Sequence, residues 1–254
     1  MKVIIYIVFL LTITNLSYGL TNVETLNHGP TKEKPLKLGI VLFPGFDQLD
    51  VTGPLEVFSN FPNTKIYFIS NNLGTVKSSV GIIKIKPNTT FSAAPQLDVL
   101  FVPGGEGVTK AIASDNGLIP FIKKQTPELK YLSSVCTGAL ILGSAGELNG
   151  YKATTHWMAK KYLPYFGAIE TDQRVVIDRN RVTGAGVTSG FDVALQLGAL
   201  LFGQNFVEKQ ELLTEYFTHQ TLYNTTLESA NPEVKEDLIK EMATINKSRD
   251  DFFK

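Results

Sequence analysis

LKYLSSVCTGALILGSAG, residues 129–146, is the stretch that decides the fold. Leu129 to Val135 reads as a core strand, at the length expected for a buried one. Thr137 to Gly146 is apolar and rich in small residues, a composition that lets a helix pack close against a sheet. Only Cys136 separates the two, and Gly138 follows where a nucleophile elbow carries its last glycine. The reading is strand, sharp turn, helix, with a thiol at the turn.

The same alternation extends in both directions. Upstream, LKLGIVLF (36–43), KIYFIS (65–70) and LDVLFVPGG (97–105) read as core strands. VGIIKIKP (80–87) alternates and is expected as a strand nearer an edge, and NGLIPFIKKQ (116–125) as a helix. Gly53-Pro54 is expected to open a helix, with proline at its first position. Downstream, KATTH (152–156), RVVID (174–178) and RVTGAG (181–186) read as short strands. Phe191, Ala194, Leu195, Gly198, Leu201 and Phe202 lie on one face of a following helix, and a further helix is expected over about 206–218. Alternating strands and helices imply right-handed crossovers and a mostly parallel sheet covered on both faces. The expected fold class is therefore a single-domain α/β three-layer sandwich, with its site off the carboxyl ends of the strands.

Composition agrees. The 254 residues are 43% hydrophobic, enough for a full core, and 24 Lys+Arg balance 24 Asp+Glu. That balance lacks the basic footprint of a nucleic-acid binder, so no nucleic-acid partner is expected. One cysteine excludes an intrachain disulfide framework. Residues 1–19, with Lys2, the apolar run Val3–Ile13 and Ser17-Tyr18-Gly19, read as a secretory signal peptide. The run is short of the roughly 20 residues a spanning helix needs, so no membrane association is expected after cleavage, and the protein is expected to be exported. Residues 20–36 read as a linker, 37–222 as the domain, and 223–254 as a polar tail with one helix over about 232–243. Asn88, Asn224 and Asn246 open Asn-x-Ser/Thr sequons, which matter if the source is a eukaryote.

The residues just after each strand are where the site is expected. Cys136 at its elbow faces a helix N-terminus, whose dipole and free N–H groups favour thiolate, so its pKa is expected below the usual value of about 8.5. The N–H groups of Gly138 and Thr137, with Gly104 or Gly105 across the gap, are expected to bind developing negative charge. Asp50 is the first candidate acid–base partner, Glu56 the second, and His156, at the end of 152–156, a third group facing the same edge. Each has a plainer reading: Cys136 as a small buried hydrophobe, Asp50 and Glu56 as helix-terminus acids, His156 as a pocket-wall residue. Three scattered histidines and one cysteine give no metal-site spacing, and no metal is expected.

FPGFDQLDVTGPLEVF (43–58), LDVLFVPGG (97–105), SSVCTGALILGSAGELNGYKATTHW (134–157) and RVTGAGVTSGFDVAL (181–195) resemble the ThiJ/PfpI family of the class I glutamine amidotransferase-like superfamily, in the family's order and over about 37–205. The resemblance implies a flavodoxin-like sandwich with the cysteine at the elbow. The branch whose pattern is most similar is that of the isonitrile hydratases, which pair an aspartate in an "LDxxGP" segment with a Cys-Thr elbow. Here these map onto Asp50, Cys136 and Thr137. That branch implies covalent hydration of an isonitrile to an N-substituted formamide, with no cofactor, on a small-molecule substrate, by a homodimer. The peptidase-like branch has histidine directly after the cysteine; Thr137 in that place argues against a protease. Two other readings stay open: a glyoxalase-like or amidase-like enzyme on the same cysteine, and a non-catalytic binding or redox-sensing module.

Overall fold

The computed structural model describes residues 30–114, 116–216 and 232–253. The expected signal peptide, most of the linker and the Asn224 sequon lie outside the described residues. Seven strands form the central sheet: β1 (Leu36–Val41), β2 (Thr64–Ser70), β3 (Thr89–Thr90), β4 (Val99–Val102), β5 (Tyr131–Ser134), β6 (Val175–Asp178) and β7 (Arg181–Gly184). Their spatial order is β6-β7-β5-β4-β1-β2-β3. All neighbours are parallel except β6 and β7, an antiparallel hairpin pairing Val175 with Gly184. β4 is buried along its whole length, and β1 at all but one residue, because helices cover both faces.

Helices α1 (Gln48–Phe58) and α5 (Ser189–Phe202) pack together on one face. On the other lie α2 (Val108–Ala113), α3 (Leu118–Gln125), α4 (Gly138–Ser144) and a 3₁₀ helix, Trp157–Phe166. After α5 come α6 (Gln204–Thr214), α7 (Pro232–Glu241) and α8 (Ala243–Phe253). The tail is not a loose appendage. Asp250 of α8 accepts hydrogen bonds from Lys161 and Tyr162, both at 2.8 Å, and Phe253 packs on the rings of Tyr162 and Phe166.

Three expectations need correction. Residues 80–87 do not form a strand of the sheet: only Lys84–Ile85 is extended, paired with Val76–Lys77 in a separate ribbon, and Ile82 is 78% exposed. Alternation there reports a half-exposed ribbon. Helix α1 begins at Gln48, not at Gly53-Pro54. Asp47 supplies the cap, its Oδ1 accepting from the N–H of Leu49 at 3.0 Å and of Asp50 at 3.4 Å. Pro54 then lies inside the helix, where it packs against Gly190 of α5 and leaves the Asp50 carbonyl without its usual i+4 donor. Finally, Asn246 sits on the inward side of α8, its Nδ2 3.7 Å from the sulfur of Met158 and its Oδ1 accepting from Arg249. A glycan there would displace the helix. Asn88 likewise spends both amide atoms on the β2 backbone, at Phe68 and Ile66.

Strand order places the site. The chain runs from β1 out to β2 and β3, then returns to build β4, β5 and β7 on the other side of β1. The crevice between the carboxyl ends of β1 and β4 is thus a topological switch point, where segments leaving the two strands diverge.

Candidate active site

The Asp50 carboxylate spans this crevice. It lies in the first turn of α1, fully buried, and its Oδ2 accepts the Gly104 N–H at 2.7 Å. Gly104 follows β4, and a side chain there would place Cβ 2.5 Å from the Thr137 nitrogen, 2.6 Å from its Oγ1 and 3.0 Å from Asp50 Oδ2. Only glycine lets the three loops meet.

Cys136 follows β5 at the expected elbow, with φ of 54°, a conformation costing a non-glycine residue about 1–3 kcal/mol. Its backbone is held on both sides. The N–H donates to Gly184 O at 3.2 Å, and the Thr155 hydroxyl donates to the Cys136 carbonyl at 2.7 Å. Gly138 permits the turn to close: a Cβ there would lie 2.2 Å from Val102 O. The thiol is 6% exposed and adjoins the Asp50 carboxyl, while the Thr137 N–H points at the sulfur.

Electrostatics reverse one expectation. The Asp50 pKa is raised to about 8, chiefly by burial and secondarily by the negative charge of Asp47, against the stabilising Gly104 N–H and Cys136 thiol. The helix N-terminus behind Cys136 leads to the expectation of a pKa below its usual value. Instead burial pushes the thiol well up, and the Asp50 and Asp47 carboxylates push it further. The Thr137 N–H and the seven-residue helix α4 behind it do not offset a thiol sealed beside two acids. At neutral pH both Asp50 and Cys136 hold their protons. Asp50 Oδ1 is buried with no hydrogen-bond partner of full geometry, so the thiol contact is loose and the acid proton belongs on this oxygen.

The expected oxyanion donors are engaged elsewhere. Gly104 N–H serves Asp50, Gly105 N–H donates to Thr137 Oγ1 at 3.0 Å, and Gly138 N–H donates to Val135 O at 3.0 Å. Thr137 N–H, facing the sulfur, is the elbow donor directed at the reacting region. Thr137 itself locks the β4 loop to the elbow, because its hydroxyl also reaches Gly105 O at 3.3 Å.

Glu56 does not join the site. It lies exposed on α1, its carbonyl accepting from Ser59 and Asn60. Choosing between the two acids needed the helix start: with Asp47 as cap, Asp50 turns into the crevice and Glu56 out to solvent. His156 caps the 3₁₀ helix, its Nδ1 accepting from Met158 N–H at 3.4 Å. Burial and then nearby Arg249 lower its pKa to about 4, so it is neutral and too weak a base for proton abstraction at neutral pH. Among the described residues no group of three or more His, Cys, Asp or Glu side chains is placed to hold a metal ion.

Sequence reasoning missed three contributors: Asp47, Thr155 and Arg249. Asp47 had a legible cap signal, an Asp directly before QLD. Thr155 and Arg249 had none, since each acts by tertiary placement. Arg249 of α8 is 4% exposed and lies within electrostatic range of Cys136, His156 and Glu106.

Comparison with known proteins fits this geometry. The DJ-1/PfpI family model matches residues 37–199. The isonitrile hydratase of Pseudomonas putida is 44% identical over 181 residues, covering 71% of this chain and 78% of that protein. A ThiJ/PfpI family protein of Pseudomonas syringae, solved by crystallography, superposes with a TM-score of 0.81 at 39% identity, covering 86% of this chain and 90% of the other. The HTH-type transcriptional regulator GbdR of Pseudomonas aeruginosa is 27% identical over 203 residues, 77% of this chain but 54% of the regulator.

Proposed function

The chain belongs to the DJ-1/PfpI family, and from that premise we propose that it hydrates isonitriles to N-substituted formamides through Cys136 and Asp50. The observation that carries the reading is a protonated, buried Asp50 whose Oδ1 is unsatisfied beside the only thiol of the chain.

An isonitrile, R–N≡C, becomes electrophilic at carbon only on protonation. Asp50 delivers its Oδ1 proton to that carbon as the Cys136 sulfur adds to it, and the thiol proton returns to Asp50. The product is a thioimidate, R–N=CH–S–Cys. Asp50 then protonates the thioimidate nitrogen, and its carboxylate takes a proton from the water that adds to the carbon. Collapse of the adduct breaks the C–S bond, moves the hydroxyl proton to sulfur and releases R–NH–CHO. The sum is one isonitrile plus one water, with both side chains restored. An ordinary aspartate would be ionised at neutral pH and could not open this sequence; burial keeps this one an acid. Thr137 positions Cys136 and the β4 loop rather than exchanging protons, since its hydroxyl is held by Gly105.

The test is formamide production from cyclohexyl isocyanide, followed by NMR. Cys136→Ala and Asp50→Asn are each expected to abolish it. Wild-type turnover of no isonitrile would remove the reading, and so would full activity in Cys136→Ala. The redox-sensing alternative is disfavoured by the same electrostatics: peroxide oxidises thiolates, and this thiol is buried and protonated.

A further inference from the structure

Arg249 is the one residue of α8 that is fully buried, although the helix also carries phenylalanines at its end. The helix hides its arginine while leaving Phe252 42% exposed. The docking contacts fix where the guanidinium goes. Asp250, Phe253 and Asn246 seat α8 on the 3₁₀ helix Trp157–Phe166, and α8 also packs on α2, which follows the Gly104–Gly107 loop. His156 caps the first support, the second starts just past Glu106, and the guanidinium lies within electrostatic range of Cys136.

The guanidinium is poorly compensated. Its one hydrogen bond among the described residues is a long 3.4 Å contact from Nη1 to the neutral amide of Asn246, and it forms no ion pair with a carboxylate there. Glu106 is within electrostatic range but exposed, and water screens it. His156 beside it is uncharged at neutral pH. A guanidinium offers five donors in a planar fork suited to a carboxylate or phosphate, and burying it without an anion costs free energy.

We propose that Arg249 is a substrate-recognition residue, and that the natural substrate is an isonitrile carrying a carboxylate, whose anion pairs with the guanidinium while its isonitrile carbon meets Cys136. The substrate class rests on the hydratase reading; the anion site does not. An isocyano carboxylate is the smallest molecule with both groups at short separation. α8 then acts as a substrate-binding cover contributed by the C-terminal tail, not as a spacer.

Two experiments separate the claims. In the first, Cys136 of the full chain is alkylated with iodoacetate and with iodoacetamide, which deliver similar carbon to sulfur with and without a negative charge. Relative to a free thiol in solution, the wild type is expected to favour iodoacetate about tenfold or more. Arg249→Gln is expected to erase the preference and Arg249→Lys to keep part of it. A wild-type ratio equal to that of the free thiol would overturn the anion site, and so would equal slowing of both reagents in Arg249→Gln, which is the signature of a residue acting only on thiol ionisation. The wild-type ratio needs no variant to fold. In the second, kcat/KM is compared for isocyanoacetate and its ethyl ester. At least a hundredfold preference for the acid is expected in the wild type, reduced to less than tenfold in Arg249→Gln. Equal turnover of acid and ester would refute the substrate class. Failure to turn over either compound would instead refute the hydratase reading, leaving the alkylation ratio to decide the anion site.

Discussion

Replacing Asp50 by asparagine should make the protein's stability less dependent on pH, in an amount that follows from the burial of one carboxyl. Its pKa is about 8 in the folded state, against 3.8 for the group without its surroundings. Between these values the folded chain keeps a proton that the unfolded chain has lost. Stability then falls as pH rises, because the unfolding free energy changes by 2.303RT for each proton the folded state holds in excess. The contribution is complete below pH 4 and is lost progressively as pH rises toward 8. One proton corresponds to about 1.4 kcal/mol per pH unit. The difference in stability between Asp50→Asn and wild type should therefore grow by about 2.7 kcal/mol from pH 5 to pH 7. That slope needs only a folded pKa above 7, so it does not depend on the full displacement. Asparagine keeps an oxygen for the Gly104 N–H, now at 2.7 Å, so the variant is expected to fold. Urea unfolding at pH 5, 6 and 7 measures the difference, and all other titrations cancel between the two proteins. A difference that stays flat within about 0.5 kcal/mol would show that Asp50 is ionised in the folded state, and the proton source of the proposed reaction would be lost with it.

Other outcomes follow from the same geometry. The rate of Cys136 alkylation by iodoacetamide should rise with a midpoint well above that of a free thiol, and Asp50→Asn should lower that midpoint by removing the neighbouring carboxylate; a midpoint below 8 in the wild type would contradict the buried-thiol assignment. The logarithm of kcat/KM for isonitrile hydration should be level near neutrality and fall above about pH 8 as Asp50 ionises, measured as a pH–rate profile. Gly104→Ala should cut kcat/KM at least a hundredfold while the far-ultraviolet circular dichroism is kept, since its Cβ would sit 2.6 Å from Thr137 Oγ1. Thr137→Val should cost about 1–2 kcal/mol in urea unfolding by orphaning the Gly105 N–H, with Thr137→Ser restoring most of it. If the leader is a signal peptide, the mature mass from a secreting host should begin after Gly19.

Much of the fold could be read in the residues. Apolar-rich stretches at 36–43 and 97–102 mark strands buried on both faces, because only a sheet covered twice tolerates them. The elbow was readable for a local reason: Gly138 and the strand–helix junction at Cys136 are sequence neighbours. The 80–87 segment misled because period-two alternation reports one wet face and is silent on which partner strand is paired. Gly53-Pro54 is a stronger local sign of a helix start than Asp47, yet the Asp47 cap satisfies N–H groups that the proline cannot, and α1 begins there.

By itself, then, the chain determined its layered α/β plan, its single cysteine at an elbow and the loops from which an acid–base partner had to come. Local pattern is enough for these, since each depends on residues a few positions apart. The tertiary structure decided which acid is buried beside the elbow and what charge it carries. Asp50 is an acid because the β1–β4 crevice removes water from it, Cys136 stays a thiol chiefly because it is buried, and Arg249 arrives within electrostatic range of it from the far end of the chain. Desolvation and charge proximity are sums over everything nearby in space, and no window of sequence contains that sum.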